Sequence, residues 1–113
     1  MTRGWAPDSG DLVWLTFYPQ AGREQAGRRP ALVLSPASYN RRSGLALVCP
    51  ITSRIKGYPF EVQLPESLPV SGAILADHVK SLDWQKRRAE LAGRAPAEVL
   101  RDVQARLAAL LGF

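Results

Sequence analysis

At 113 residues, 46% of them hydrophobic and 22% charged, the chain has the size and composition of one ordinary globular domain spanning 1–113. No apolar run approaches the roughly 20 residues of a membrane span, and the N-terminus lacks the apolar core of a secretory leader, so the cytoplasm is the expected compartment. One cysteine, Cys49, and one histidine, His78, leave room for neither a disulfide framework nor a metal constellation, and no cofactor is expected.

The charge balance is less neutral. Fifteen Lys and Arg against ten Asp and Glu give +5, and twelve of the fifteen are arginine. Arginine is the cation suited to bidentate phosphate contacts and to stacking on bases. A polyanionic partner is therefore expected, either a nucleic acid or an acidic protein segment.

Taken in order, a turn cluster at 8–11 precedes a β-rich run at 12–18. Val13, Leu15 and Phe17 share one face, while Leu12, Trp14, Thr16 and Tyr18 share the other. Bulk on both faces predicts an interior strand. A polar, glycine-bracketed connection follows at 22–30, holding Arg23, Glu24, Gln25, Arg28 and Arg29. Its length and charge exceed what joining two strands requires, since hairpin loops usually take about two to five residues. Pro30 then opens a second strand at 31–35, where a missing ladder donor is tolerable.

Residues 36–44 read as a turn or short helix exposing Tyr39, Asn40, Arg41 and Arg42. A third, mostly buried strand is expected at 45–51, and Pro50 suggests that it ends at an edge or bulge. A basic connection containing Thr52, Ser53, Arg54 and Lys56 comes next. In 58–64, Phe60, Val62 and Leu64 alternate with Glu61 and Gln63, the pattern of a half-buried antiparallel strand. Residues 73–82 read as extended with a bend at Ala76 and Asp77, and 84–94 is ambiguous. From Pro96 the period changes. Val99, Leu100, Val103, Leu107, Leu110 and Leu111 fall at helical spacing, with Pro96 in the first turn and Gly112 at the stop. The resulting class is mainly β with α: an antiparallel barrel or rolled sheet of five to seven strands carrying a C-terminal amphipathic helix.

No glycine-rich phosphate loop is present, and Cys49 lies in an apolar strand, where a core role is expected. What remains is a metal-free set of arginine, hydroxyl, acid and histidine on loops beside strands. By themselves these residues define a small, basic, nucleic-acid-binding β protein.

Several ordered segments resemble the MazF/PemK toxin family of toxin–antitoxin systems. They are Gly10-Asp11-Leu12-Val13-Trp14, the 22–30 connection ending Glu-Gln-Ala-Gly-Arg-Arg-Pro, Leu34-Ser35-Pro36, Pro50-Ile51-Thr52, Lys56-Gly57-Tyr58-Pro59-Phe60-Glu61-Val62 and Asp77-His78-Val79-Lys80-Ser81. The resemblance implies an SH3-like fold and a sequence-specific, metal-independent endoribonuclease acting as a homodimer on single-stranded RNA, often messenger RNA. Cleavage by the substrate's 2′-hydroxyl would leave a 2′,3′-cyclic phosphate and a 5′-hydroxyl. An antitoxin with an acidic, poorly ordered segment would block the site, and the complex of the two would bind DNA.

On this resemblance the catalytic arginine maps to Arg29, the catalytic threonine to Thr52 and the loop acid to Glu24. Expected RNA contacts are Gln25, Arg28, Arg54, Lys56, Asp77, His78, Lys80 and Phe17, with Arg23, Trp14 and Tyr58 as further candidates. His78 stands where relatives usually carry glutamine. Leu75 stands where another branch carries a catalytic arginine, so that branch's mechanism is not available. Two alternatives share the fold: a toxin that poisons DNA gyrase without catalysis, and a non-catalytic RNA-binding barrel.

Overall fold

A computed structural model describes residues 4–17 and 27–113. Seven strands run antiparallel: β1 Asp11–Thr16, β2 Arg28–Val33, β3 Leu45–Thr52, β4 Glu61–Gln63, β5 Ala73–Leu75, β6 Lys80–Asp83 and β7 Glu90–Arg94. A short helix, α1 (Ala37–Ser43), joins β2 to β3, and a C-terminal helix, α2 (Ala97–Leu111), closes the chain. The strand order is β4-β5-β3-β2-β1-β7, with β6 also on β3. The sheet is open, which corrects the barrel alternative to the rolled sheet. Residues 18–26, and with them Arg23, Glu24 and Gln25 of the glycine-bracketed connection, lie outside the described residues.

Strand β1 lies between β2 and β7, in the interior position its two apolar faces demand. Because side chains alternate along a strand, β1, β2 and β3 each feed two separate cores. Leu12, Leu32, Cys49, Ile51 and Ile74 pack on one face against Val99 and Val103 of α2. Val13, Leu15, Ala31, Val33, Ala46 and Val48 pack on the other, with Leu82 and Trp84 and the N-terminal Ala6. The first face is sealed by a fifteen-residue helix. The second, among the described residues, is covered by shorter pieces.

The bend expected at Ala76 and Asp77 is a 3₁₀ turn, Ala76–His78. On either side of it, β5 pairs with the end of β3 and β6 with its beginning, so the two line one edge of β3. Pro50 falls where that pairing lapses, between Val48↔Lys80 and Ile51↔Ile74. The missing amide proton is thus tolerated inside an interior strand, not at an edge.

Other expectations are corrected. Asn40, expected to be exposed, is fully buried. Its amide donates to the carbonyls of Pro7 (2.7 Å) and Ser35 (2.9 Å) and accepts from Ser35 Oγ (2.6 Å). Complete satisfaction is what allows a polar side chain to be buried. Leu45 and Leu47 are exposed in the strand expected to be mostly buried, and Leu110 and Leu111 in the helix expected to pack there. Pro96 caps α2 from outside the first turn, and Gly112 ends it in the left-handed conformation.

Candidate nucleic-acid site on the open face

The site is built by strand register. β2 and β3 pair Ala31 with Pro50. Continued two residues beyond that pair, the same register sets Arg29 across from Thr52, where the ladder has ended. Both side chains leave the sheet on the partly covered face, at the rim of the core that holds Ala31 and Val48. Lys80 reaches the same face opposite Val48, and Phe17 packs half-buried against that core. Four of the expected residues therefore converge on one surface. Among the described residues the Arg29 side chain makes no hydrogen bond or ion pair, while its backbone pairs with Leu15 in the ladder.

Thr52 is held by its own turn. Its Oγ1 accepts a hydrogen bond from the Arg54 amide (3.0 Å), which leaves the hydroxyl proton available to donate outward. Gly72 fixes the backbone beneath it. It adopts φ +121, and a Cβ there would lie 2.2 Å from the Thr52 carbonyl oxygen. Only glycine permits this approach. In the sequence Gly72 reads merely as the end of a loop, and the contact that makes it matter is formed by the fold.

The loop at 53–60 carries Arg54 and Lys56, both exposed. Glu61 organises it: its carboxylate accepts from the amides of Lys56 (3.0 Å) and Gly57 (2.8 Å). The Lys56 ammonium lies 5.7 Å from the centroid of the Tyr58 ring, and Tyr58 is 60% exposed. A cation beside an open aromatic face suits a phosphate next to a splayed base. Trp14, by contrast, lies on the opposite side of the sheet from Arg29.

Asp77 and His78 occupy the 3₁₀ turn, with His78 Nε2 and Asp77 Oδ1 3.8 Å apart and both side chains exposed. The turn covers Cys49, whose thiol donates to the Ala76 carbonyl (3.7 Å). Burial, reinforced by the Asp77 charge, pushes this thiol up to about 12. It is a core group, as expected, and not a nucleophile.

Arg28 does not join the others. Alternation sends it to the opposite face from Arg29, and there it is fully engaged. Its Nη1 donates to Thr16 Oγ1 (3.1 Å) and, more weakly, to the Arg87 carbonyl (3.4 Å). Its Nη2 donates to the Arg88 carbonyl (2.8 Å) and to Glu90 (2.9 Å). A cavity of about 1010 Å³ against Trp5, Trp84 and Arg88 contains none of the candidate residues. The candidate site is open surface, as a polymer substrate requires. Among the described residues no cluster of His, Cys, Asp and Glu could hold a metal ion.

Among the described residues, a small open β sheet with one covering helix presents arginine, threonine and lysine on its partly covered face, a basic surface of the kind a polyanion can meet. The model of the PemK-like, MazF-like toxins of type II toxin–antitoxin systems matches residues 8–111, and the chain belongs to that family. It is 46% identical over 112 residues to the endoribonuclease toxin MazF of Escherichia coli K12, covering 99% of this chain and all of the relative. The crystal structure of MazF from Deinococcus radiodurans superposes with a TM-score of 0.88 at 63% identity, over 96% and 99% of the two chains. The MazE–MazF complex from the same organism matches with a TM-score of 0.87 at 58% identity, over 96% and 98%.

Proposed function

We propose that this toxin is an endoribonuclease that cleaves single-stranded RNA, messenger RNA among it, by attack of the substrate's own 2′-hydroxyl on the adjacent phosphate. The products are a 2′,3′-cyclic phosphate and a 5′-hydroxyl. The reading is carried by the register that sets Arg29 across from Thr52 on one open face. In-line attack concentrates negative charge on the non-bridging oxygens. A guanidinium offering two parallel donors and a hydroxyl whose own lone pair is already occupied both suit that charge. Arg29 acts as a charge stabiliser, because guanidinium does not deprotonate in proteins. The proton from the 2′-hydroxyl goes to Glu24 or His78 and the departing 5′-oxygen takes one up from solvent; a rate profile flat from pH 5 to 8 would eliminate His78, because an ordinary carboxylate is already ionised over that range.

Arg54, Lys56 and Lys80 bind backbone phosphates, so affinity falls as salt rises. Phe17, Asp77 and His78 contact the bases, and the family resemblance adds Gln25 to them. The active form is a homodimer in the cytoplasm. It is held inactive by a cognate antitoxin whose acidic segment competes with RNA for the same cations, a reading supported by the MazE–MazF complex of the Deinococcus relative.

Incubation of purified protein with RNA in excess chelator tests this. Cleavage that yields cyclic phosphate ends, and that is abolished by Arg29→Ala in a folded protein, is expected. Binding without cleavage would replace the reading with a non-catalytic RNA-binding module. Inhibited supercoiling would point to a gyrase poison.

A further inference from the structure

The two adjacent arginines at the start of β2 do different jobs. We infer that Arg28 is a positioning residue and not an RNA ligand: it clamps the stem of the 17–28 connection onto the turn at 84–89 and thereby sets the angle at which Arg29 leaves the sheet. This rests on the function proposed above.

Donor arithmetic carries the inference. Arginine has five N–H donors, and a bidentate phosphate contact needs two that are parallel and free. All four on the terminal nitrogens of Arg28 are accounted for, by Thr16, Arg87, Arg88 and Glu90. Only Nε–H is left. The side chain is 28% exposed and already paired with a carboxylate, so a phosphate would have to displace bonds the fold supplies.

The acceptor side is built to match. The turn closes with Ala89 N–H bonded to the Trp84 carbonyl (2.9 Å) and Arg88 N–H to the Gln85 carbonyl (3.0 Å). This is a helix-end closure that normally places glycine in the left-handed position. Here Arg88 occupies it, at φ 58, the one non-glycine residue with positive φ among those described. The closure uses neither the Arg87 nor the Arg88 carbonyl: the first accepts from the Thr16 amide (2.9 Å) and, more weakly, from Arg28 (3.4 Å), and the second accepts from Arg28 (2.8 Å). Arg87 then returns the contact: its Nη1 donates to the carbonyls of Thr16 (3.1 Å) and Phe17 (2.7 Å). One arginine from the stem grips the turn, and one from the turn grips the stem. Between them the Phe17 amide donates to the Gly27 carbonyl (2.7 Å), the outermost β1–β2 rung among the described residues.

The test compares Arg28→Gln and Arg28→Lys with the unaltered protein, using amide hydrogen exchange at Phe17, RNA-cleavage kinetics, and the salt dependence of RNA binding. Arg28→Gln is expected to speed exchange at the Phe17 amide and to lower kcat about tenfold to a hundredfold, the scale of an ångström-level misplacement of a reacting group. The slope of log affinity against log salt should stay unchanged. Arg28→Lys, which keeps the charge without the fork, should fail to restore kcat. A slope smaller by about 0.7 in Arg28→Gln, the value for one lost single-strand phosphate contact, would overturn the inference. Unchanged Phe17 exchange would overturn it as well. If Arg28→Gln does not fold, Glu90→Ala removes one acceptor alone and must give a smaller change of the same kind. The exchange readout needs no RNA. It therefore separates failure of the clamp from failure of the proposed activity, which would show as absence of cleavage by the unaltered protein.

Discussion

The two faces of the sheet are made by the same strands and serve opposite purposes. On one, α2 lies over Leu12, Leu32, Ile51 and Ile74, and Val103 is fully buried between helix and sheet. On the other, the apolar core stops short, and past its rim stand Phe17, Arg29, Thr52 and Lys80. Alternation along β2 shows the contrast residue by residue: Leu32 joins the sealed core, Ala31 the partial one, and Arg29, two positions before Ala31, is left to face solvent. The sealed face supplies stability, and the unfinished face is where chemistry can reach a polymer.

The comparison is broken most sharply by separating the two properties. Thr52→Ala removes a donor from the open face and should slow cleavage by about a hundredfold to a thousandfold, while thermal unfolding is barely altered. Val103→Ala on the sealed face should do the reverse. It should cost about 2 kcal/mol in denaturant unfolding, with cleavage per folded molecule unchanged. Gly72→Ala couples the faces, because the added methyl would collide with the Thr52 carbonyl. Both the rate and the midpoint should fall, and a variant losing only one would show that Gly72 does not set Thr52.

The smallest effect concerns pH. The Ala37 and Ser9 amides, which donate to Asp8, hold its carboxylate below the usual range, with Arg94 and Arg41 adding to them against slight burial. A lowered pKa stabilises the fold above the unfolded value of about 3.9 and withdraws that stabilisation as pH falls through the folded value. Asp8→Asn should therefore be less stable than the parent at neutral pH, and the two curves should converge below about pH 4.

Much of this was legible in the residues. The alternation of Phe60, Val62 and Leu64 and the spacing of Val99, Leu100, Val103 and Leu107 fixed which sides turn inward, because burial obeys period. The bend at Ala76 showed where extended character lapses. Asn40 was not legible, since a polar residue is buried only where distant groups satisfy it, and those lie on Pro7 and beside Trp84. Leu110 and Leu111 keep helical period beyond the end of the core they would join. For the site, the residue types of Arg29 and Thr52 could be read, but their meeting is a property of register, and a slip of one residue would turn one of them to the sealed face. Arg28 was misplaced for the same reason. It looked like Arg29, and only the turn at 84–89 distinguishes them.

The Asn40 network has a consequence for the order of events in folding. Its amide reaches Pro7 across 33 positions, and its carbonyl receives the Trp84 indole N–H (2.8 Å) across 44. Bonds of that span are formed only after costly loop closure, and Trp84 leaves the ribosome long after Asn40. Trp84 also begins the turn that grips the Arg28 stem. The buried Asn40 network and the turn that holds Arg28 thus share one residue, and both wait on contacts that span much of the chain.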